Sequence, residues 1–412
     1  MLRTFLISAG LVICSGVMAQ KSDHLHLQPK PALVRLIDGN LRQALNQYKV
    51  LMSKLPADRM PKTYYAMQDK LETSDSKWWC SGFYPGTLFY LYEFSHDTSL
   101  LHEATRRLRL LENEQFNKGT HDLGFMMYCS FGNARHALNT KDYDEILLNS
   151  AKSLSTRFNP TIGCIKSWDN NKWQYPVIID NMMNLELLLW ATHVSGDSSF
   201  YKIAVTHANT TMKNHFRPDY SSFHVVNYDT ATGAVLARVT AQGFSDSSAW
   251  ARGQAWGLYG YTMMYRGTHD PRYLEQAEHI AHFILTNPNL PADKVPVWDY
   301  NAPEGQRALR DASAGAVMAS ALIELSRYVS SEKGREYLDV AEQIIVTLSS
   351  SNYHAIVGSN GGFILKHSVG HLPGKSEVDV PLTYADYYFV EAMLRYKQLG
   401  EKDGSSHHVE GF

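Results

Sequence analysis

Cysteine is scarce in this chain of 412 residues, which has only Cys14, Cys80, Cys129 and Cys164. No two of them have the C-x-x-C spacing of a metal motif, and their number is too small for a disulfide framework. A chain of this length can bury a large core without such cross-links. The sequence therefore excludes a small disulfide-stabilised protein, and it leaves open one disulfide among the last three cysteines.

An excess of charge is also absent, because 39 Lys and Arg residues face 41 Asp and Glu residues. Without a basic stretch, the chain gives no support to a nucleic-acid partner. The sequence contains no H-E-x-x-H zinc motif, no glycine-rich phosphate loop and no G-x-S-x-G nucleophile motif. We therefore expect no metal, no cofactor and no nucleic-acid partner.

A long apolar run occurs only at the start of the chain, where FLISAGLVICSGVMA ends in small residues before Gln20. This pattern predicts a secretory signal peptide at 1–19 and a single exported, periplasmic domain at 20–412. A lipoprotein anchored through Cys14 is disfavoured because the bulky Ile13 precedes it. No later stretch approaches the roughly 18 apolar residues that cross a bilayer, so we expect no membrane contact after signal removal.

A repeated signature marks one set of helices: HDTSLLHEA from His96, GDSSFYKIA from Gly196 and HDPRYLEQA from His269. In each copy the Asp suits a helix N-cap, and the following bulky residue and Ala share one face. Looser copies begin at Lys141 and Lys333. Together with an amphipathic stretch near the start of the mature chain, the pattern predicts six helices with a polar face.

Helices that are apolar all round alternate with this set, which indicates that they are inner helices. They are predicted to begin near Phe83, Asp122, Asp180, Ser247, Asp311 and Leu382. Six outer and six inner helices in strict alternation predict an all-α (α/α)6 barrel. The segments 223–228 and 235–239 read as a short inserted β-hairpin.

Asp122 and Asp180 open consecutive inner helices, and all inner helices should start at the same end of the barrel. Each Asp lies among apolar residues, which tend to raise a carboxyl pKa into the range that a general acid needs. The alternative is that both are ordinary N-caps, since Asp is favoured there. Neither has the Glu or Gln three residues later that completes a capping box.

The stretch from Ser245 to Gly267 crowds Trp250, Arg252 and Trp256 into the first turns of a helix. An Arg at this end faces the positive pole of the helix dipole and is unfavourable without a nearby negative group. Either Arg252 pairs with Asp246 in a core, or this end binds an anionic ring-shaped ligand. Further polar candidates near this end are His121, His224 and Gln242.

Five blocks of the sequence together resemble glycoside hydrolase family 88, the unsaturated glucuronyl hydrolases. They are WCSGFYPG from Trp79, HDLGF from His121, IDNMMN from Ile179, AQGFSDSSAWARGQAW from Ala241 and YADYYFVEA from Tyr384. The resemblance runs in order over nearly the whole mature chain and implies the same (α/α)6 barrel. By position it implies that Asp180 is the general acid/base and Asp122 the second essential carboxylate. The residues implied to line the substrate site are Trp79, His121, His224, Gln242, Trp250, Arg252 and Trp256.

The reaction that this resemblance implies is hydration of the double bond in a 4,5-unsaturated uronic acid, which polysaccharide lyases leave at the non-reducing end of their products. Glycosaminoglycan fragments are the expected source of the oligosaccharide substrate. One alternative is the related unsaturated rhamnogalacturonyl hydrolases. Another is a non-catalytic oligosaccharide-binding protein, which would give no reason for two Asp residues in apolar surroundings. The sequence indicates nothing about the oligomeric state.

Overall fold

Helices of two kinds alternate along residues 27–399, which a computed structural model describes. The predicted signal peptide at 1–19 lies outside these residues. The outer helices are α1 (Pro31–Lys54), α3 (Thr98–Leu111), α5 (Asp144–Ser155), α7 (Ser198–His215), α9 (Pro271–Thr286) and α11 (Ser331–Leu348). The inner helices are α2 (Phe83–Ser95), α4 (Asn133–Ala137), α6 (Leu185–Ser195), α8 (Ala251–Thr268), α10 (Ala312–Leu325) and α12 (Thr383–Lys397).

The inner helices form a closed ring. A π-helix, Gly124–Gly132, runs directly into α4, and this pair contacts α2 on one side and α6 on the other. From α6 the ring continues through α8, α10 and α12, and α12 returns to α2. The outer helices pack around this ring, which makes the fold an (α/α)6 barrel and confirms the predicted alternation.

Aspartate caps start three of the outer helices, as the repeated signature predicts. Asp97, Asp197 and Asp270 each accept a hydrogen bond from the backbone N–H two residues later, at 2.8–3.0 Å. Of the looser copies, α11 is capped by Ser330, whereas α5 begins after Tyr143 without a side-chain cap. The repeat therefore predicted where the outer helices lie, but it predicted an Asp cap correctly only in its three tight copies.

The start of α8 differs from the prediction, which placed it near Ser247. The helix begins at Ala251, with Trp250 as a residue of extended conformation before it and no side-chain cap. The preceding residues bond elsewhere: Ser248 donates through Oγ to Asp299 at 2.7 Å, and the Ala251 N–H donates to the Trp298 carbonyl at 3.1 Å. These contacts with a distant segment hold the chain out of the helix until Ala251.

Antiparallel strands occupy the connections between the helices. They are β1 (Met60–Tyr65) with β2 (Lys70–Ser74), β3 (Phe158–Asn159) with β4 (Cys164–Ile165), and β8 (Ser368–His371) with β9 (Ser376–Val380). The predicted hairpin is confirmed as β6 (Val225–Tyr228) and β7 (Val235–Val239), and β5 (Pro176–Ile178) adds a third strand beside β6.

The cysteines of the described residues form no disulfide, and none of the described helices could span a membrane. Cys80, Cys129 and Cys164 are all free thiols, so the disulfide that the sequence left open does not form. Within residues 27–399, no helix combines the length and the apolar character that would let it cross a membrane.

Close packing between α8 and the segment before α6 requires glycine at position 260. A Cβ on Gly260 would lie 2.5 Å from the Cβ of Met182, whereas a Cβ on Gly39 in α1 would meet no atom within 4 Å. We expect Gly39→Ala to raise the unfolding free energy by about 0.5–1 kcal/mol, because alanine favours helix interiors. Gly260→Ala should lower it, because overpacking costs about 1–3 kcal/mol. Chemical denaturation of both variants measures the difference, and equal stabilisation by both would contradict this account of the packing.

Candidate active site

Asp180 lies at the barrel end where the inner helices begin, directly after β5 and inside a 3-10 turn, Ile179–Asn184. The residue is 8% exposed, and its Oδ2 has no hydrogen-bond partner among residues 27–399. Burial raises the pKa of this carboxyl to about 7, and the charge of Asp122 adds to the rise while Arg252 opposes it. A carboxyl in this state can hold or release a proton near neutral pH.

Asp122 lies beside it, two residues before the π-helix. Its Oδ2 accepts a hydrogen bond from the Thr120 hydroxyl at 2.6 Å, and its Oδ1 lies 3.2 Å from Nε2 of His121. Burial lowers the pKa of His121, whose Nδ1 faces the Ser167 hydroxyl at 3.5 Å. A neutral imidazole at this distance leaves the Asp122 carboxylate without a compensating positive charge from His121.

Neither aspartate acts as an N-cap, so the alternative interpretation of this pair is wrong. The π-helix begins after Leu123 and the 3-10 turn after Ile178, and neither start has a side-chain cap. The oxygens of both carboxylates are therefore not committed to helix ends.

His224 lies just before β6, and its Nε2 faces Asp180. Its Nδ1 accepts hydrogen bonds from the backbone N–H groups of Ala241 and Gln242, both at 3.1 Å. Because burial lowers the pKa of His224 well below its usual value, the ring is neutral and its proton resides on Nε2. That nitrogen lies 3.9 Å from Oδ2 of Asp180, and the described part of the chain offers it no partner within hydrogen-bonding distance.

Arg252 is buried, and its partner is Asp311 and not Asp246, which one of the two alternatives from the sequence had paired with it. Its Nη1 donates to Oδ2 of Asp311 at 2.7 Å and to the Val369 carbonyl at 2.5 Å, and its Nη2 donates to the Gly370 carbonyl at 2.7 Å. Asp246 instead accepts from the Thr240 backbone N–H. The negative group that offsets the unfavourable helix dipole at Arg252 is thus Asp311, the residue directly before α10.

Aromatic rings form the walls around these polar groups. The Trp250 ring lies 4.6 Å from the His224 ring and 4.5 Å from the guanidinium of Arg252. Trp79 packs against Tyr384 at 4.9 Å and Phe125 at 5.5 Å. The neighbouring Trp78 is 39% exposed and points to Lys62 instead, so the structure favours Trp79 as the site residue.

All nine predicted site residues come together at this one end of the barrel. Trp256 interacts with the Asp180 carboxyl and packs on Phe125 at 5.2 Å, and Gln242 donates through Nε2 to the Gly370 carbonyl at 2.9 Å. Their roles towards a substrate stay predictions.

Sequence reasoning missed Asp311, Tyr384 and the β8 carbonyls as parts of the site. Asp311 gave a signal that was not used, because it opens an inner helix at the same barrel end as Asp122 and Asp180. The carbonyls of Val369 and Gly370 gave none, since any residue type supplies a backbone oxygen.

A cavity of about 1040 Å³ lies at the other end of the barrel, away from these residues. Its lining includes Gly124, Met183 and Tyr388 at its inner end and charged residues such as Glu186 and Arg395. Trp256 packs on Phe125 at 5.2 Å and on Tyr388 at 5.3 Å, so these packed rings connect the aspartate end with the cavity, which Tyr388 lines. We place the chemistry at the end with the paired aspartates, because there, alone among the residues that the structure describes, a buried carboxyl oxygen lacks a partner and lies near aromatic rings.

Comparison with known proteins adds a direct line of support. No protein-family model matches the sequence. An unsaturated glucuronyl hydrolase of Formosa agariphila is 47% identical over 358 residues, which are 86% of this chain and 89% of that protein. The crystal structure of an unsaturated glucuronyl hydrolase specific for heparin is 49% identical, with a TM-score of 0.86 over 88% of this chain and 97% of that one.

A third relative was crystallised with a ligand. The Streptococcus agalactiae unsaturated glucuronyl hydrolase mutant in complex with dGlcA-GalNAc6S has a TM-score of 0.75 and 27% identity, over 88% of this chain and 91% of that one. The barrel, its paired aspartates and these similarities define a glycoside hydrolase. The chain belongs to the unsaturated glucuronyl hydrolase family, as its sequence blocks indicated.

The raised pKa of Asp180 has a consequence for stability. Its folded pKa of about 7 exceeds the usual aspartate value of about 4, so the folded state binds the proton more tightly and loses stability as pH rises from about 4 to 7. We expect Asp180→Asn to raise the melting temperature at pH 8 and to change it little at pH 4. The gain is a few kcal/mol at most, since one pKa unit corresponds to about 1.4 kcal/mol. Calorimetry at both pH values measures it, and an equal effect at both would contradict the raised pKa.

Proposed function

We propose that this protein hydrates the C4=C5 double bond of an unsaturated glucuronyl residue at the non-reducing end of glycosaminoglycan fragments and so releases that residue. The observation that carries the proposal is the Asp180 carboxyl, which is buried, has a pKa of about 7 and faces Asp122 and His224. The names of its relatives support the substrate class: unsaturated glucuronyl hydrolase, unsaturated chondroitin disaccharide hydrolase and a hydrolase specific for heparin.

In the first step, protonated Asp180 donates its proton to C4 of the unsaturated ring. The double bond supplies the electron pair of the new C–H bond, and the positive charge that remains is shared by C5 and the ring oxygen. The Asp122 carboxylate lies close enough to raise the pKa of Asp180, so it helps to keep the acid protonated near neutral pH. The same negative charge stabilises the developing cation.

In the second step, water attacks C5 and gives one proton to the Asp180 carboxylate, which restores the acid. The product is a hemiketal at C5. It opens to a ketone at C5 and a hemiacetal at C1, and the hemiacetal releases the next sugar as an alcohol. One water molecule is consumed, and one carboxyl acts first as acid and then as base, so the usual rule that relates carboxylate separation to stereochemistry does not apply.

Arg252 and His224 suit recognition of the acidic ring. The two Nη1 hydrogens and one Nη2 hydrogen of Arg252 are used by protein acceptors, and within residues 27–399 the Nε–H has none. Its N–H edge can therefore bind a substrate carboxylate. The Nε2–H of His224 adds a neutral donor beside Asp180, and the aromatic walls provide faces for the apolar side of a sugar ring.

Loss of the acid/base should abolish turnover. We expect Asp180→Asn to reduce kcat/KM on an unsaturated chondroitin or heparin disaccharide by at least about 100-fold, because general acid–base catalysis commonly contributes 10²–10⁴-fold. The measurement is the decay of the ultraviolet absorbance of the double bond. Asp197→Asn, which changes an exposed cap on α7, is the control and should keep full activity. Binding of the disaccharide by the wild-type protein without loss of absorbance would overturn the proposal. Turnover of pectin-derived disaccharides alone would show that the substrate comes from pectin and not from glycosaminoglycans.

The pH dependence follows from the same carboxyl. Because Asp180 must carry a proton to attack C4, kcat/KM of the wild-type enzyme should fall as pH rises through about 7. A pH series of initial rates on one disaccharide measures this alkaline limb. A rate that stays constant to pH 9 would show that another group is the acid.

A further inference from the structure

We propose that Asp311 is a positioning residue for the reaction: it fixes the guanidinium of Arg252 beside Asp180 and compensates its charge. The inference builds on the proposed function, because it assigns a task within that site to a residue on a different helix. Asp311 itself does not touch the reacting atoms in this account. It acts through Arg252 alone.

Asp311 is hydrogen-bonded to three elements, which are α10, β8 and α8. The side chain is fully buried and precedes α10. Its Oδ1 accepts hydrogen bonds from the backbone N–H of Ser313 at 3.1 Å, from the Ser313 hydroxyl at 2.5 Å and from the Val369 N–H in β8 at 3.4 Å. Its Oδ2 is left for Nη1 of Arg252 in α8, at 2.7 Å.

This division of the two oxygens gives Asp311 two separable tasks. Oδ1 caps α10 and ties it to β8, whose Val369 and Gly370 carbonyls also hold Arg252. Oδ2 brings the negative charge that a buried guanidinium requires. An uncharged residue with a capping oxygen can therefore keep the first task and lose the second.

Charge compensation matters because Arg252 acts on the acid. Its guanidinium lies 4.5 Å from the Trp250 ring, and that ring packs on His224, whose Nε2 is 3.9 Å from Oδ2 of Asp180. At this short range its positive charge opposes the rise in the pKa of Asp180. Because Arg252 is paired with Asp311 at 2.7 Å, the field of Arg252 at Asp180 is reduced. Without that partner the full positive charge favours the ionised form of Asp180.

Other charged or titratable groups lie near Asp180 and Arg252, and they are unchanged when Asp311 loses its charge. Around Asp180 they are Asp122 and His224. Around Arg252 they are Tyr384 and Glu377. None of them contacts Oδ2 of Asp311 in the part of the chain that the structure describes.

The test is Asp311→Asn, in which the amide oxygen can still cap Ser313 while the negative charge is lost. We expect the alkaline limb of kcat/KM to move to lower pH by roughly half a unit or more, because an uncompensated charge near a buried carboxyl shifts its pKa on this scale. A merely structural role would lower the rate or the melting temperature and leave the limb in place. Asp197→Asn again controls for a change in helix capping, and Asp311→Ser, which also keeps a capping oxygen, replaces the Asn variant if that variant does not fold.

A double-mutant cycle tests whether Asp311 acts through Arg252. In an Arg252→Met background, Asp311→Asn should no longer shift the pKa of Asp180. Titration of the Asp180 carboxyl by NMR on protein labelled at aspartate measures this pKa without any substrate. An unchanged pKa in Asp311→Asn, or the same shift with and without Arg252, would overturn the inference.

The two proposals fail in different ways. If the wild-type enzyme leaves the double bond intact but Asp311→Asn lowers the pKa of Asp180, the proposed function is wrong and the positioning role holds. If turnover is found and neither the pH limb nor the pKa of Asp180 moves, the proposed function holds and the positioning role is wrong.

Discussion

Strict alternation of outer and inner helices is the constraint on which the site depends. Because each inner helix is followed by an outer helix that returns along the barrel, every inner helix begins at the same end. Asp122, Asp180, Arg252 and Asp311 are far apart in the chain, yet each lies at the start of an inner helix or just before it. The barrel thus gathers charged groups that no local motif could place together.

Arg252 and Asp180 are both buried, but they differ in the partners that compensate their charges. This difference is what makes Asp180 an acid near neutral pH. Arg252 is compensated by Asp311 and by two carbonyls, so it stays charged in the interior. Within residues 27–399 Asp180 has no such partner for its Oδ2, and the charge of Asp122 acts on it. The Asp180 side chain is itself almost buried, and its neighbours Trp250 and Trp256 are almost fully buried. A neutral carboxylic acid is therefore the stable form at a pH where aspartate is normally ionised.

Much of this arrangement was predictable from the sequence, for physical reasons that can be named. Helix periodicity and Asp caps are local, so they predicted the barrel and the positions of Asp122 and Asp180. The start of α8 was misplaced, because Ser248 bonds to Asp299 rather than to its own helix. The sequence left the partner of Arg252 open and offered only Asp246, which is near in sequence, whereas Asp311 is near only in the folded chain. The π-helix and the hairpins of β1/β2 and β8/β9 carry too short a pattern for periodicity to show.

The packed rings of Phe125, Trp256 and Tyr388 have a consequence for how the two ends of the barrel are related. All three side chains are almost fully buried, and Tyr388 lines the cavity at the opposite end. Trp256 contacts both of the other rings and interacts with the Asp180 carboxyl. Because a densely packed interior transmits displacement, a change in the cavity that moves Tyr388 is expected to reach the acid through Trp256.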